Sequence, residues 1–206
     1  ESPACGEYPD LAALGKLAKL WNFNLIQLLP VNDSGSQSSP YSARSAFALH
    51  PLYIRIAELP ELEAAGAGAR DSILAESKAV SRRFARDERL RYQAYLEAKL
   101  DLLRRVWSEL AEPGLEGRSS RAAAEFEAWI GANPWVKAYA VFSELKERNG
   151  GKPWWEWRAY GDASASEIEA LWDRPELVSG HRFRAWLQWR AEEQFRAAAA
   201  SLAALG

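Results

Sequence analysis

One short run constrains this chain more than any other: Leu25-Ile26-Gln27-Leu28-Leu29-Pro30-Val31, apolar at nearly every position and bounded by polar residues. A run this brief and continuous, closed by turn formers, reads as a strand covered on both faces, as in a parallel sheet. It is the one clear strand in 206 residues. A lone strand leaves both of its hydrogen-bonding edges unpaired. The expected fold class is therefore α/β, with one helix–strand unit attached to a long helical stretch, as in a fragment of a larger sheet protein.

The helices are marked by period and punctuation. Leu11, Leu14, Leu17 and Leu20 form an apolar stripe, with Asp10 as the expected N-cap and Lys16 and Lys19 near the C-terminal end. Tyr92, Leu96, Leu100, Leu103, Trp107 and Leu110 recur every three or four residues, and Glu112-Pro113-Gly114 is expected to stop that helix. A shorter helix carries Phe126, Trp129 and Ile130. Asn133-Pro134 opens another, closed by Asn149-Gly150-Gly151. Ser164 and Glu167 have capping-box spacing ahead of Ile168, Leu171 and Trp172. A last helix carries Phe183, Trp186, Leu187, Arg190 and Phe195. Residues 59–70 and 112–121 are expected to be mobile loops.

The apolar run feeds a loop dense in turn formers, Asn32-Asp33-Ser34-Gly35-Ser36-Gln37-Ser38-Ser39-Pro40. In parallel α/β architectures the segment leaving the carboxyl end of a strand is the usual ligand site, so this loop is the first place to look for function. By composition alone it reads as a solvated linker. Asp33, just past the run, is the acidic residue best placed for chemistry, although stabilising the turn suits it better than catalysis.

Composition excludes several classes. The net charge of −2 gives no electrostatic footprint for nucleic acid or an anionic membrane surface, and no run approaches a bilayer span. His50 and His181 are far apart, without Cys or acidic neighbours at metal-ligand spacing, so no metal is expected. No phosphate-binding glycine loop and no nucleophile elbow occurs, and Cys5 is the sole cysteine. A single cysteine fits a reducing compartment, so a cytoplasmic location is expected. Ten tryptophans and no methionine depart from the average. The tryptophans suit either a helical core or platforms for sugar rings. The missing methionine and the opening at Glu1 fit a piece of a longer protein.

The stretches Leu28-Leu29-Pro30-Val31-Asn32-Asp33, Ser39-Pro40-Tyr41-Ser42 and Ser45-Ala46-Phe47-Ala48-Leu49-His50-Pro51-Leu52-Tyr53-Ile54 together resemble the amylomaltase family of 4-α-glucanotransferases, glycoside hydrolase family 77. The wording is similar to the branch holding the plant cytosolic enzyme and its bacterial relatives. Three further stretches agree in order: Gly6-Glu7-Tyr8-Pro9-Asp10-Leu11, then Pro134 through Phe142 with Trp154-Trp155-Glu156-Trp157, then His181-Arg182-Phe183 with Trp186-Leu187-Gln188-Trp189. Lys137-Ala138 departs from the pattern, standing where many relatives carry an acidic residue.

The resemblance implies a fragment of a (β/α)₈ TIM barrel with a large, mostly helical insertion. It divides the chain into an early barrel unit with the substrate loop (1–57), a helical insertion (58–177) and a helix leading to the next strand (178–206). It also implies retaining transglycosylation of α-1,4-glucans by two carboxyl groups, with no cofactor. The family's nucleophile lies in an Arg-x-Asp-His motif and its acid in a Glu-Asp-Leu-Gly-like motif, and neither occurs here. No catalytic residue is therefore expected in this chain, and the chain alone is expected to be inactive. What it can carry is substrate wall: Ser39 and Tyr41 as sugar contacts, Pro40 stiffening their turn, and Asn32 and Asp33 either touching sugar or shaping the loop. The implied partners are an α-1,4-glucan or maltooligosaccharide and the remainder of the barrel, with neither nucleic acid nor membrane. Trp154 to Trp157 read as packing of the insertion. Two rivals stay open: a non-catalytic helical module that binds carbohydrate or protein, and a related barrel glycosidase that hydrolyses.

Overall fold

A computed structural model describes residues 5–116 and 120–205. It contains nine helices among those residues: α1 (Asp10–Leu20), α2 (Pro60–Ala64), α3 (Ala67–Phe84), α4 (Tyr92–Val106), α5 (Glu112–Glu116), α6 (Arg121–Ala132), α7 (Trp135–Arg148), α8 (Ala165–Trp172) and α9 (Val178–Ala203). No strand forms among the described residues, and the sole β pairing is an antiparallel bridge between Asn32 and Leu49. None of these helices is long and apolar enough to cross a membrane.

The expected buried strand is corrected by this structure. Residues 25–31 form no strand: Val31 O accepts the His50 amide at 2.9 Å, but Leu25, Leu28 and Leu29 stand at 78%, 40% and 59% exposure. The reason is physical: an extended run is buried by strands on its flanks and layers on its faces, and no described segment supplies them. Trp21 and Phe23 are exposed beside it.

Helix boundaries follow capping chemistry with some shifts. Pro9 rather than Asp10 caps α1, and the Asp10 carboxylate instead accepts the Glu7 amide at 2.8 Å. Segment 59–70 is not a loop. Pro60, fixed at a helical φ, starts α2 with Glu61 and Glu63 in its first turn, where the dipole favours anions. Glu112-Pro113-Gly114 does not stop the helix that begins at Tyr92. A Pro at 113 removes one amide and crowds the carbonyl four residues back. The chain responds with a π turn over Trp107–Ala111, in which the Glu112 amide reaches Trp107 O, and α5 follows. Within 112–121, residues 117–119 lie outside the described residues. The capping box of Ser164 and Glu167 forms, and Gly150 and Gly151 take left-handed φ of 64° and 76° just past α7.

The chain divides into two compact units, residues 1–114 with 190–206, and residues 115–189. In the first, Leu52, Phe84, Tyr95 and Leu96 form a buried cluster edged by Tyr53, Val80, Leu90 and Tyr92. Gln194 on α9 makes a reciprocal pair with the Arg55 backbone, accepting its amide at 2.7 Å and donating to its carbonyl at 2.9 Å. Buried Arg190 pairs with Glu61 at 2.8 Å. In the second unit Phe126 stacks on Trp189 at 5.1 Å and His181 on Trp172 at 5.8 Å. Trp107, Trp172, Trp186 and Trp189 are core residues, whereas Trp154 and Trp155 are exposed, so the packing expected of the 154–157 turn falls to Trp157 against Phe142 at 5.4 Å.

Candidate functional site

The loop after the apolar run is closed at its base by backbone. The Asp33 amide donates to Ala48 O at 2.8 Å, the His50 amide to Val31 O at 2.9 Å, and the Arg44 amide to Asp33 O at 2.7 Å. Asn32 adds a side-chain bond, Nδ2 to Ala46 O at 2.9 Å. Residues 33–48 therefore form a compact excursion between two paired ends.

Two turns shape it. Ser34 to Gln37 closes a β-turn with the Gln37 amide on Ser34 O at 3.1 Å. Gly35 sits in it at φ 58°, a conformation that L side chains resist. The Arg44 guanidinium also lies where a Cβ on Gly35 would project. Asp33 Oδ1 accepts the Gly35 amide at 2.8 Å, an Asx turn. The second turn is Ser39-Pro40-Tyr41-Ser42, with the Ser42 amide on Ser39 O at 3.1 Å. Proline at its second position has the φ such a turn needs.

Of the five sequence candidates, the structure brings Ser39, Pro40 and Tyr41 together in this second turn. Ser39 is exposed, and Tyr41 is 74% exposed, its ring offered to solvent. Asn32 and Asp33 are engaged with the loop's own backbone, and Asp33 is 4% exposed.

Beneath the loop lies a polar network that sequence reading missed. His50 is buried, and its Nδ1 accepts the Leu52 amide at 3.2 Å, capping the short 3-10 turn Pro51–Tyr53. Nδ1 is then the acceptor, so the neutral ring carries its proton on Nε2. That nitrogen lies 2.6 Å from the Tyr92 hydroxyl, which donates in turn to Gly35 O at 2.8 Å. Ser34 Oγ sits 3.3 Å from the same hydroxyl and donates to Gln37 O at 2.6 Å. Burial holds the His50 pKa below its ordinary value. The Asp33 carboxylate, 4.0 Å away, pulls it upward, and Arg44 pushes it down. The signals were present in sequence, as His50 precedes Pro51 and Tyr92 opens an apolar helix face with a hydroxyl. Neither says which loop it serves. Among the described residues no three His, Cys, Asp or Glu side chains group as a metal site.

Comparison with known proteins bears on what such a loop is for. The chain is 32% identical over 162 residues to the 4-alpha-glucanotransferase of Chlamydia caviae, covering 76% of this chain and 28% of that protein. It is 29% identical to 4-alpha-glucanotransferase DPE2 of rice over 83% of this chain and 17% of the relative. It is also 31% identical to the 4-alpha-glucanotransferase of Thermus thermophilus, over 85% of this chain and 32% of that one. The chain thus spans less than a third of the length of these curated relatives. Two solved structures share its fold. One is amylomaltase from Corynebacterium glutamicum, with TM-score 0.72 and 22% identity over 100% of this chain and 27% of that one. The other is amylomaltase from Streptococcus agalactiae in complex with acarbose, with TM-score 0.73 and 16% identity over 98% and 38%. The sequence model of the 4-alpha-glucanotransferases, glycoside hydrolase family 77, matches residues 1–206 in full, and the chain belongs to that family.

Proposed function

We propose that this chain forms part of the substrate wall of a 4-alpha-glucanotransferase that acts on α-1,4-glucans with retention of configuration. The remainder of a (β/α)₈ barrel would supply the two carboxyl groups that break and remake the glycosidic bond. In this reading residues 1–57 are an early barrel unit, 58–177 a helical insertion and 178–206 the helix before the next strand. The observation that carries the reading is the Ser39-Pro40-Tyr41 turn: an exposed aromatic ring and a hydroxyl side by side on a tethered loop. The Tyr41 face suits the C–H face of a glucose ring, and both hydroxyls can bond sugar oxygens.

The test is disproportionation of maltotriose. The full-length protein containing this chain should produce glucose and longer oligosaccharides, and the chain alone should produce neither. Activity in the isolated chain would overturn the assignment of catalysis to residues elsewhere. Full-length protein that releases only hydrolysis products would favour a glycosidase. Saturable glucan binding by the chain, with no activity in the full-length protein, would favour a non-catalytic binding module.

A further inference from the structure

We propose that Tyr92 is a positioning residue for glucan binding: its hydroxyl, reaching from α4 to the loop, sets the place of the Ser39-Pro40-Tyr41 turn. The proposal rests on the reading of that turn as a sugar-contacting surface.

The Tyr92 ring is accounted for by packing, since it borders the cluster of Leu52, Phe84, Tyr95 and Leu96. A phenylalanine would fill that space equally well. The hydroxyl does something else, because its hydrogen bonds all run to the loop and to His50 at the loop's base. They are His50 Nε2 at 2.6 Å and Gly35 O at 2.8 Å, with Ser34 Oγ a further polar contact at 3.3 Å.

The direction of the chain of bonds is fixed. His50 Nδ1 is occupied as an acceptor, so Nε2–H donates to the Tyr92 oxygen. The Tyr92 hydrogen is then free for Gly35 O, while the Ser34 hydrogen is already given to Gln37 O. Each donor has one acceptor, and bonds in such a series strengthen one another. The anchored carbonyl belongs to Gly35, whose left-handed φ and cover by Arg44 already allow little else at that position. The anchor lies a few residues before Ser39. Between them the chain passes through the turn closed by the Gln37 amide on Ser34 O. A helix of the first unit thus holds the near side of the turn that presents Tyr41.

The discriminating substitution is Tyr92→Phe, which deletes one oxygen and keeps the ring. Tyr95→Phe is the control, a buried tyrosine on the same helix that makes no bond to the loop among the described contacts. In the full-length protein containing this chain, Y92F should raise KM for maltotriose about five- to tenfold with kcat within about twofold, the mark of lost uniform binding. Y95F should leave KM unchanged. In the chain alone, trypsin should cut after exposed Arg44 faster in Y92F than in wild type or Y95F. An inactive wild-type protein would sink the glucan reading and this proposal with it. An active wild type with an unaltered KM in Y92F, or equal KM shifts in Y92F and Y95F, would overturn the positioning role alone. Equal trypsin rates in Y92F and wild type would overturn it independently of activity.

Discussion

The most exacting test of the first unit concerns its part-buried ion cluster. Lys99 is 4% exposed and its ammonium meets Glu7 Oε1 at 2.5 Å. The other Glu7 oxygen takes Arg55 Nε at 2.9 Å, and Arg55 also reaches Asp10 and Glu58. Glu7 thus holds two cations, but Lys99 holds one anion. The consequence is an asymmetry. Glu7→Gln leaves a buried ammonium without a counter-charge, and a neutral amide that turns its oxygen to one cation must turn its NH₂ to the other. Breaking a buried pair this way costs about 3–5 kcal/mol. Lys99→Met removes the ammonium itself and leaves Glu7 its partnership with Arg55, so the cost should fall to about 1–2 kcal/mol. The double substitution should be less destabilised than Glu7→Gln alone, because no unpaired ammonium remains. Chemical denaturation followed by tryptophan emission measures all four proteins. If Glu7→Gln lay within about 1 kcal/mol of wild type, or Lys99→Met cost more than Glu7→Gln, the cluster would not be the electrostatic anchor described.

Two other perturbations probe the loop and the histidines. Gly35→Ala should cost about 1–2 kcal/mol from left-handed strain alone, displace the Arg44 guanidinium, and speed tryptic cleavage after Arg44; an unchanged cleavage rate would refute the turn geometry. Burial depresses the pKa of His50, and likewise of His181, below 6.5. The unfolded chain therefore takes up protons first as pH falls through about 6.5, and stability should drop by up to about 1.4 kcal/mol per pH unit per histidine until the folded pKa is passed. Denaturation midpoints between pH 7.5 and 5 report this, and a midpoint that rose on acidification would contradict it.

Much of this structure is readable from local chemistry. The capping box at Ser164, the glycine stop after α7 and the amphipathic face of α4 each depend on residues within a turn or two, and each forms. The Ser39-Pro40-Tyr41 turn is equally local, set by the φ of Pro40. What sequence could not supply were the long-range choices. Tyr92 reads as one more apolar-face residue, and only the fold shows its hydroxyl on Gly35, 57 positions away. Segment 59–70 looked loose because small residues and Glu dominate it, yet Leu59 and Leu62 are buried and Glu61 finds Arg190, 129 positions on. The π turn before Pro113 is a third case, since a proline in a helical pattern announces a conflict without saying how the backbone resolves it.

The loop and the apolar run before it pose different folding problems. The loop is closed by partners inside the first unit: Ala48, His50 and Tyr92. The run joins that closure through Val31 O at its end, while its leucines face solvent. Burying a leucine fully contributes about 1.5–3 kcal/mol, so the proposed barrel would gain several kcal/mol from Leu25, Leu28 and Leu29 that this chain does not realise. The site's wall is then organised before the run finds its neighbours. It follows that replacing Leu25 and Leu29 with lysine should leave the unfolding midpoint of the chain within about 0.5 kcal/mol of wild type, as at other exposed positions. The same change should lower binding of a hydrophobic dye, because it removes the exposed apolar surface. In the full-length protein the identical substitutions should be severely destabilising. A chain that lost stability with those two lysines would show the run to be buried in it, and full-length protein indifferent to them would remove the reason for placing the run within a barrel.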